Sequence, residues 1–343
     1  MKIGSFDTAQ RVLVIAEIGN NHEGDFTLAE ELIGKAAESG ADAVKFQTIQ
    51  PDQLIHPDNE ARLAQLQRYA FSFDQFQKLK ETADRQGVMF LSTPFDLEAA
   101  RFLDQIMPAF KIASGDNTFY PLLETTARCN KPIILSSGLM DLTQISYSAS
   151  LIRKVWSDMD VTQDLAVLHC ISSYPAPLDQ VNLSAMALLK GCVSETVGYS
   201  DHTLGIDAAV TAVAMGAEII EKHFTIDKNH SDFRDHQLSA DPDDLRNMVE
   251  RITETRRIMG STTKQIQECE AAAEREMRRS IAVRRTKRAG ESLFWDDLVW
   301  LRPQGGLPPG QEWQVLGRPL REDLKAGTVL MDNHFQTGEE LNA

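Results

Sequence analysis

A chain of 343 residues with 42% hydrophobic side chains can bury a large core and is long enough for one big domain and a small one. Its 35 basic and 50 acidic residues leave a net charge of −15, and no basic stripe interrupts the first two thirds, which excludes a polyanionic partner such as nucleic acid. The four cysteines, Cys129, Cys170, Cys192 and Cys269, are too widely spaced for a CxxC pair and read as bystanders in a reducing, cytoplasmic compartment.

The first apolar run, VLVIA, is too short to span a membrane or form a signal-peptide core, and Arg11 and Glu17 flank it. It opens a series of apolar, β-branched runs: VLVIAEIG, AVKFQT, MFLST, FKIAS, PIILSSG, LAVLHC, TVGYSDH and IIEKHFT. Helical patterns separate them. In TLAEELIGKAAESG, apolar positions recur at three- and four-residue spacing, and Gly40 follows the helix end. SGADAVKFQT and MGAEIIEKHFT resemble each other, as repeated βα units would. Eight such units without a polar edge strand predict an α/β fold, a closed parallel (β/α)8 TIM barrel over residues 1–260.

Beyond Met259 the polar stretch STTKQIQECEAAAEREMRRS reads as a linker with helical propensity over residues 261–279. A small domain is expected over 280–343. Within it, TKRAGESL and DLKAGTVL each carry a lysine closely followed by Ala-Gly, a short internal repeat. Arg284, Arg285, Lys287 and Arg288 read as a solvated basic face.

TIM barrels carry their chemistry at the C-terminal ends of the strands. Alternation puts Glu221, His223 and Thr225 on one face of the last strand, and Gly198, Ser200 and His202 on one face of the strand before it. Neighbouring strands therefore bring the two imidazoles together. Such a pair, with a carboxylate or water nearby, can hold one divalent ion and leave positions open for substrate; a pair of hydrogen-bonded core histidines is the competing reading. Other strand ends supply Lys45, Thr93, Lys111, Ser114, Ser136 and Ser137, which are phosphate-binding residue types. A buried lysine is costly without a counter-charge, so two at one rim suggest a bound anion, unless each pairs with a local acid such as Asp42 or Asp116.

The motifs AEIGNNHEG, VKFQT, STPFD, KIASGD, SSG, HCISSYPAP, GYSDHT and EKHFT occur in this order, and through them the chain resembles the sialic acid synthases, N-acetylneuraminate synthase and its relatives for other nonulosonic acids, over nearly its whole length. The resemblance implies a barrel followed by a small antifreeze-like (SAF, β-clip) domain. It also implies a reaction, condensation of phosphoenolpyruvate with the open-chain aldehyde of an N-acylated hexosamine such as N-acetylmannosamine, with cleavage of the carbon–oxygen bond and release of phosphate. In that pattern His202 and His223 would hold Mn2+ or Mg2+, and Glu17 and Glu221 would move protons around the added water. Lys45, Thr93, Lys111, Ser114, Ser136 and Ser200 would bind phosphoenolpyruvate. Gln47, Asp116, Ser172, Tyr174, Asp235 and Arg302 would face the sugar, Arg302 from WLRPQGG acting in the site of a partner subunit, so that a domain-swapped homodimer is expected.

The chain departs from the family's sialic acid members at two of these positions, with Ser172 for asparagine and Asp116 for glutamate, which opens a 2,4-diacetamido-6-deoxy hexose as an alternative sugar. A rival phosphoenolpyruvate synthase, acting on an arabinose or erythrose phosphate, would need a second phosphate site and a metal cysteine that the sequence does not place. A non-catalytic sugar-binding barrel would have lost the metal and proton-transfer residues, and they are present.

Overall fold

Each of the eight apolar runs folds as a strand: β1 Leu13–Gly19, β2 Ala43–Thr48, β3 Met89–Pro94, β4 Phe110–Ile112, β5 Ile133–Ser136, β6 Leu165–Cys170, β7 Thr196–Asp201 and β8 Ile219–His223. The computed structural model describes residues 1–194 and 196–336, so residues 337–343 of the expected C-terminal domain lie outside the described residues. The strands run parallel in sequence order, and β8 pairs with β1; β3 and β4 lie side by side without a ladder between them, which gives a nearly closed (β/α)8 barrel.

Period-two alternation sorts the strand side chains. Val14, Ala16, Val44, Phe90, Val167 and Ile220 face outward into the core shared with the helices. Leu13, Ile15, Ala43, Leu91, Ile134, Ala166, Leu168 and Ile219 fill the barrel interior. Space there is tight at Gly198, where a Cβ would meet the Ile219 carbonyl at 2.4 Å and the Leu168 side chain at 2.6 Å. At the N-terminal end Ile3 and Phe6, from the antiparallel pair Lys2–Ile3 and Phe6–Asp7, join this inner cluster and seal it. One step further toward the C-terminal ends, the same inward positions turn polar: Glu17, Lys45, Thr93, Lys111, Ser136, Ser200 and Glu221 are all buried. An apolar floor therefore lies under a layer of charge.

The surrounding helices start on local caps. Asp25 accepts from the Thr27 and Leu28 amides at the head of helix Phe26–Glu38, and Ser72 with Gln75 forms a capping box for helix Phe73–Gln86. Such caps contribute about 1 kcal/mol each.

The chain divides after Gly260. The second unit, from Ser261, has its own core of Ile281, Val283, Leu293, Leu298, Val315, Leu320 and Leu330 around the antiparallel pair Ser280–Val283 and Leu298–Leu301. The stretch read as a linker carries a helix, Ala271–Met277. The two Ala-Gly steps turn at Gly290 and Gly327, with φ of 83° and 86°, and a bridge from Lys287 to Leu324 joins the repeats. The basic face is paired as well as solvated: buried Asp297 takes Arg285 at 2.8 Å and Lys287 at 2.9 Å, and Arg288 takes Asp323 at 2.6 Å. Among the described residues no helix is long and apolar enough to cross a membrane.

Candidate active site

Barrel register decides which strand-end side chains meet. Glu17 of β1 stands level with Lys45 of β2 on one side and His223 of β8 on the other, while Glu221 of β8 stands level with Ser200 of β7. These residues, with Thr93, Lys111, Ser114, Ser136 and His202, line a cavity of about 60 Å³ above the apolar floor. Lys45 Nζ lies 2.5 Å from Glu17 Oε2 and 3.7 Å from Glu221 Oε2, and Lys111 Nζ lies 3.6 Å from Glu221 Oε1. The buried lysines thus find acids across the barrel and not the sequence-local Asp42 or Asp116; Asp42 pairs with Arg11 at 2.8 Å, at the N-terminal end of β2. Hydroxyls complete the layer. Lys45 donates to Thr93 Oγ1 at 3.2 Å, Lys111 to Ser136 Oγ at 2.7 Å, Ser200 to Glu221 Oε1 at 2.9 Å, and Gln47 Nε2 to Glu17 Oε1 at 3.1 Å.

Burial works against all four charges, and the neighbours decide which way each group moves. Burial would lift the Glu221 carboxyl, but Lys111 and Lys45 together hold it below the usual range. Burial also lifts Glu17, where the repulsion of Glu221 adds to it and the contact with Lys45 does not offset it. Lys45, despite its burial, is held up by both glutamates, whereas Lys111, within ion-pair distance of Glu221, is moved down by burial. Two adjacent carboxyls pushed in opposite directions are what a donor and an acceptor of protons require.

The two histidine rings lie with centroids 5.5 Å apart, and the Tyr174 ring stands 4.1 Å from His202 and 5.9 Å from His223. His202 Nδ1 is 2.8 Å from the Ile171 carbonyl, which can only accept, so Nδ1 carries a proton; burial opposes the charged ring, but Cys170 and this carbonyl move its pKa up, and in the neutral form Nε2 offers a lone pair. Burial, reinforced by His202 and Lys45, moves His223 well below its ordinary pKa, and its buried Nδ1 has no hydrogen-bond partner. A buried imidazole held toward its neutral form with an unengaged nitrogen, beside a second that offers Nε2 when neutral, is a donor set that fits a divalent cation. Thr225, expected on the same face, turns away to His236 and the Asp227 carbonyl. Among the described residues no group of three or more His, Cys, Asp or Glu side chains converges on a metal position.

Several placements depart from expectation. Cys170 is no bystander: it lines the cavity, with Sγ 3.8 Å from His202 Nδ1 and 3.5 Å from Ser114 Oγ. The alternation of Leu168 and Cys170 along β6 was the available signal. Ser137, from the same SSG turn as Ser136, is spent on the Leu168 carbonyl. Of the residues expected at the sugar, Gln47 and Tyr174 line the cavity. Ser172 Oγ is buried without a partner, close enough to Ser114 that a Cβ on the intervening Gly138 would meet both hydroxyls, at 2.4 and 2.6 Å. Asp235 stands further out, Oδ1 3.3 Å from Arg234 Nε, and Arg234, unanticipated, lies over the Tyr174 ring at 5.3 Å. Arg302 is exposed and belongs to the second unit, outside this lining.

Asp116 sits half-buried in the loop after β4, and burial pushes its carboxyl from 3.8 up to about 6. A raised acid favours the fold fully below its unfolded pKa, and that contribution is lost as pH rises through the folded one. The window is therefore about pH 4 to 6, and the loss is about 1 to 2 kcal/mol once solvent screening is allowed for. Asp116→Asn is expected to gain roughly 2 to 6 °C in Tm over wild type between pH 4 and pH 7. A Tm difference that is flat across this range would show that Asp116 titrates normally.

The NeuB family profile matches residues 32–264. The chain is 41% identical to an uncharacterized protein of Methanocaldococcus jannaschii over 92% of each chain, and 37% identical to the N,N'-diacetyllegionaminic acid synthase of Legionella pneumophila over 94% of each. Its fold is similar to the crystal structure of N-acetylneuraminic acid (sialic acid) synthetase from Leptospira borgpetersenii in complex with citrate, with a TM-score of 0.74, 34% identity, and coverage of 80% of this chain and 94% of that one.

Proposed function

The chain belongs to the NeuB family of nonulosonic acid synthases, and from that premise we propose that it condenses phosphoenolpyruvate with the open-chain aldehyde of an N-acylated hexosamine and releases phosphate. The observation that carries this reading is the buried layer of Glu17, Lys45, Lys111 and Glu221 beside two neutral-capable histidines. The Lys45 and Lys111 side chains of this layer are cationic donors suited to the carboxylate and phosphate of phosphoenolpyruvate. Thr93, Ser114, Ser136 and Ser200 add hydroxyl donors around them.

The carbon–carbon bond forms from the enolpyruvate methylene to the aldehyde carbon, leaving cationic character at C2. Water adds there, and the tetrahedral intermediate expels phosphate by breaking its bond to carbon. Glu221, whose pKa the two lysines hold down, takes the proton of the water; Glu17, whose pKa burial and Glu221 hold up, gives one to the aldehyde oxygen as it becomes a hydroxyl. His202 and His223 would hold Mn2+ or Mg2+, which when bound supplies a Lewis acid for an oxygen of the substrate. Gln47 and Tyr174 line the cavity, Ser172, Asp116 and Asp235 would join them around the sugar, and Arg302 would reach it from a partner chain in a cytoplasmic homodimer.

The test is a phosphate-release assay with phosphoenolpyruvate labelled at its bridging oxygen and a panel of N-acyl hexosamines, including a 2,4-diacetamido-6-deoxy sugar. Label is expected in phosphate, and Arg302→Ala is expected to raise KM for the sugar more than for phosphoenolpyruvate. Label retained in the sugar acid rules out carbon–oxygen cleavage, and no release with any sugar favours a binding barrel.

A further inference from the structure

The segment from Phe224 to Ala240 leaves β8 and returns to it through a bridge between these two residues, carrying Arg234 and Asp235 on the way. Only Asp235–Leu238 is helical, so backbone structure does little to fix where the Asp235 carboxylate points. The fixing comes from the turn after β1, the NNHEG of AEIGNNHEG, which the chemistry described above leaves unused.

Side chains along the segment, on both sides of Asp235, are tied to that turn. Glu23 Oε1 accepts from Ser231 Oγ at 2.5 Å and lies 3.2 Å from His236 Nε2, and His236 Nδ1 lies 2.6 Å from Thr225 Oγ1. Asn21 Nδ2 donates to the Phe224 carbonyl at 2.8 Å and to Ser239 Oγ at 3.0 Å, and Ser239 Oγ donates onward to the Asp235 carbonyl at 2.5 Å. The turn itself is seated firmly. At Gly24, whose φ is 88°, a Cβ would meet the Arg68 carbonyl at 2.2 Å, and the Tyr69 hydroxyl reaches Glu23 Oε2 at 3.4 Å. His236 is fully buried, and a buried ring with both nitrogens engaged holds its backbone in one place. Adjacent helical residues point about 100° apart, so fixing His236 toward Glu23 aims Asp235 elsewhere, toward Arg234, whose guanidinium lies over the Tyr174 ring.

We infer that Glu23 and His236 are positioning residues for Asp235: they touch no reacting atom and act by holding its carboxylate where it meets hydroxyls of the N-acyl hexosamine. The inference rests on the proposed reading of Asp235 as a sugar contact. A ligand group must be held within about 0.5 Å to work, and removal of supporting hydrogen bonds around a functional group typically costs about 10- to 100-fold.

In the phosphate-release assay Glu23→Ala is expected to raise KM for the sugar about tenfold and leave KM for phosphoenolpyruvate unchanged. Glu23→Gln keeps an acceptor for Ser231 and His236 and is expected to recover most of that loss. In an Asp235→Asn background Glu23→Ala should add less than about twofold, because the carboxylate it positions is gone. Effects that multiply in the double variant, or equal rises in both KM values, overturn the inference. Amide hydrogen exchange gives a readout free of turnover: residues 230–238 should exchange faster in Glu23→Ala than in wild type, and unchanged exchange also overturns it. If exchange quickens but wild type releases no phosphate with any sugar, the anchor stands, and the sugar-positioning role falls with the functional reading.

Discussion

His202→Ala and His223→Ala are each expected to lower kcat/KM by about 10³-fold or more while leaving a folded barrel. A Lewis acid at a reacting oxygen supplies several kcal/mol of transition-state stabilisation, and each 1.36 kcal/mol is tenfold in rate. Each variant removes one of two candidate ligand nitrogens, and a single imidazole does not hold a divalent ion at a defined position. Calorimetric titration with Mn2+ separates this from simple loss of a core side chain. Wild type should bind one ion per chain, and either variant should bind at least about tenfold more weakly, with circular dichroism unchanged. Equal Mn2+ affinity in wild type and His223→Ala would return the pair to the reading in which two core histidines merely satisfy each other.

The strands, their order and the identity of most strand-end residues were legible because apolar runs of period two are read directly from a chain, and a barrel turns strand ends into one rim. What each residue does to its neighbour was not legible. The sequence offers Asp42 and Asp116 as nearby acids for the lysines, yet Glu17 lies 28 residues before Lys45 in sequence and level with it in the barrel. Register across strands, which no local pattern encodes, selects the partner. The same blindness hid Cys170, brought beside His202 by the pairing of β6 and β7, and the Glu23–His236 contact, whose residues are 213 positions apart. Arg234 was harder still, since it rides on a loop whose course depends on hydrogen bonds to another loop.

Lys45→Met is expected to lower kcat/KM for phosphoenolpyruvate by about 10² to 10³-fold, the cost of removing one preorganised donor aimed at an anion in a site shielded from water. Its effect on stability should depend on pH. Removing one partner of a buried ion pair costs about 3 to 5 kcal/mol when the other keeps its charge, and here Glu17, already pushed up by burial and by Glu221, loses the Lys45 cation that opposed both and escapes that cost by taking a proton. It should stay protonated in the folded variant to a higher pH than in wild type. A folded pKa raised above the unfolded value gives stability that is complete below the unfolded pKa and lost as pH rises through the folded one. The Tm of Lys45→Met relative to wild type should therefore be highest in acid and fall as pH rises above the ordinary glutamate range. Adding Glu17→Gln removes the titrating group and should flatten that slope without restoring activity. A Tm difference independent of pH in Lys45→Met would mean that Glu17 is not held by Lys45, and that the opposed pKa values of the two glutamates, on which their roles as proton donor and acceptor rest, have another origin.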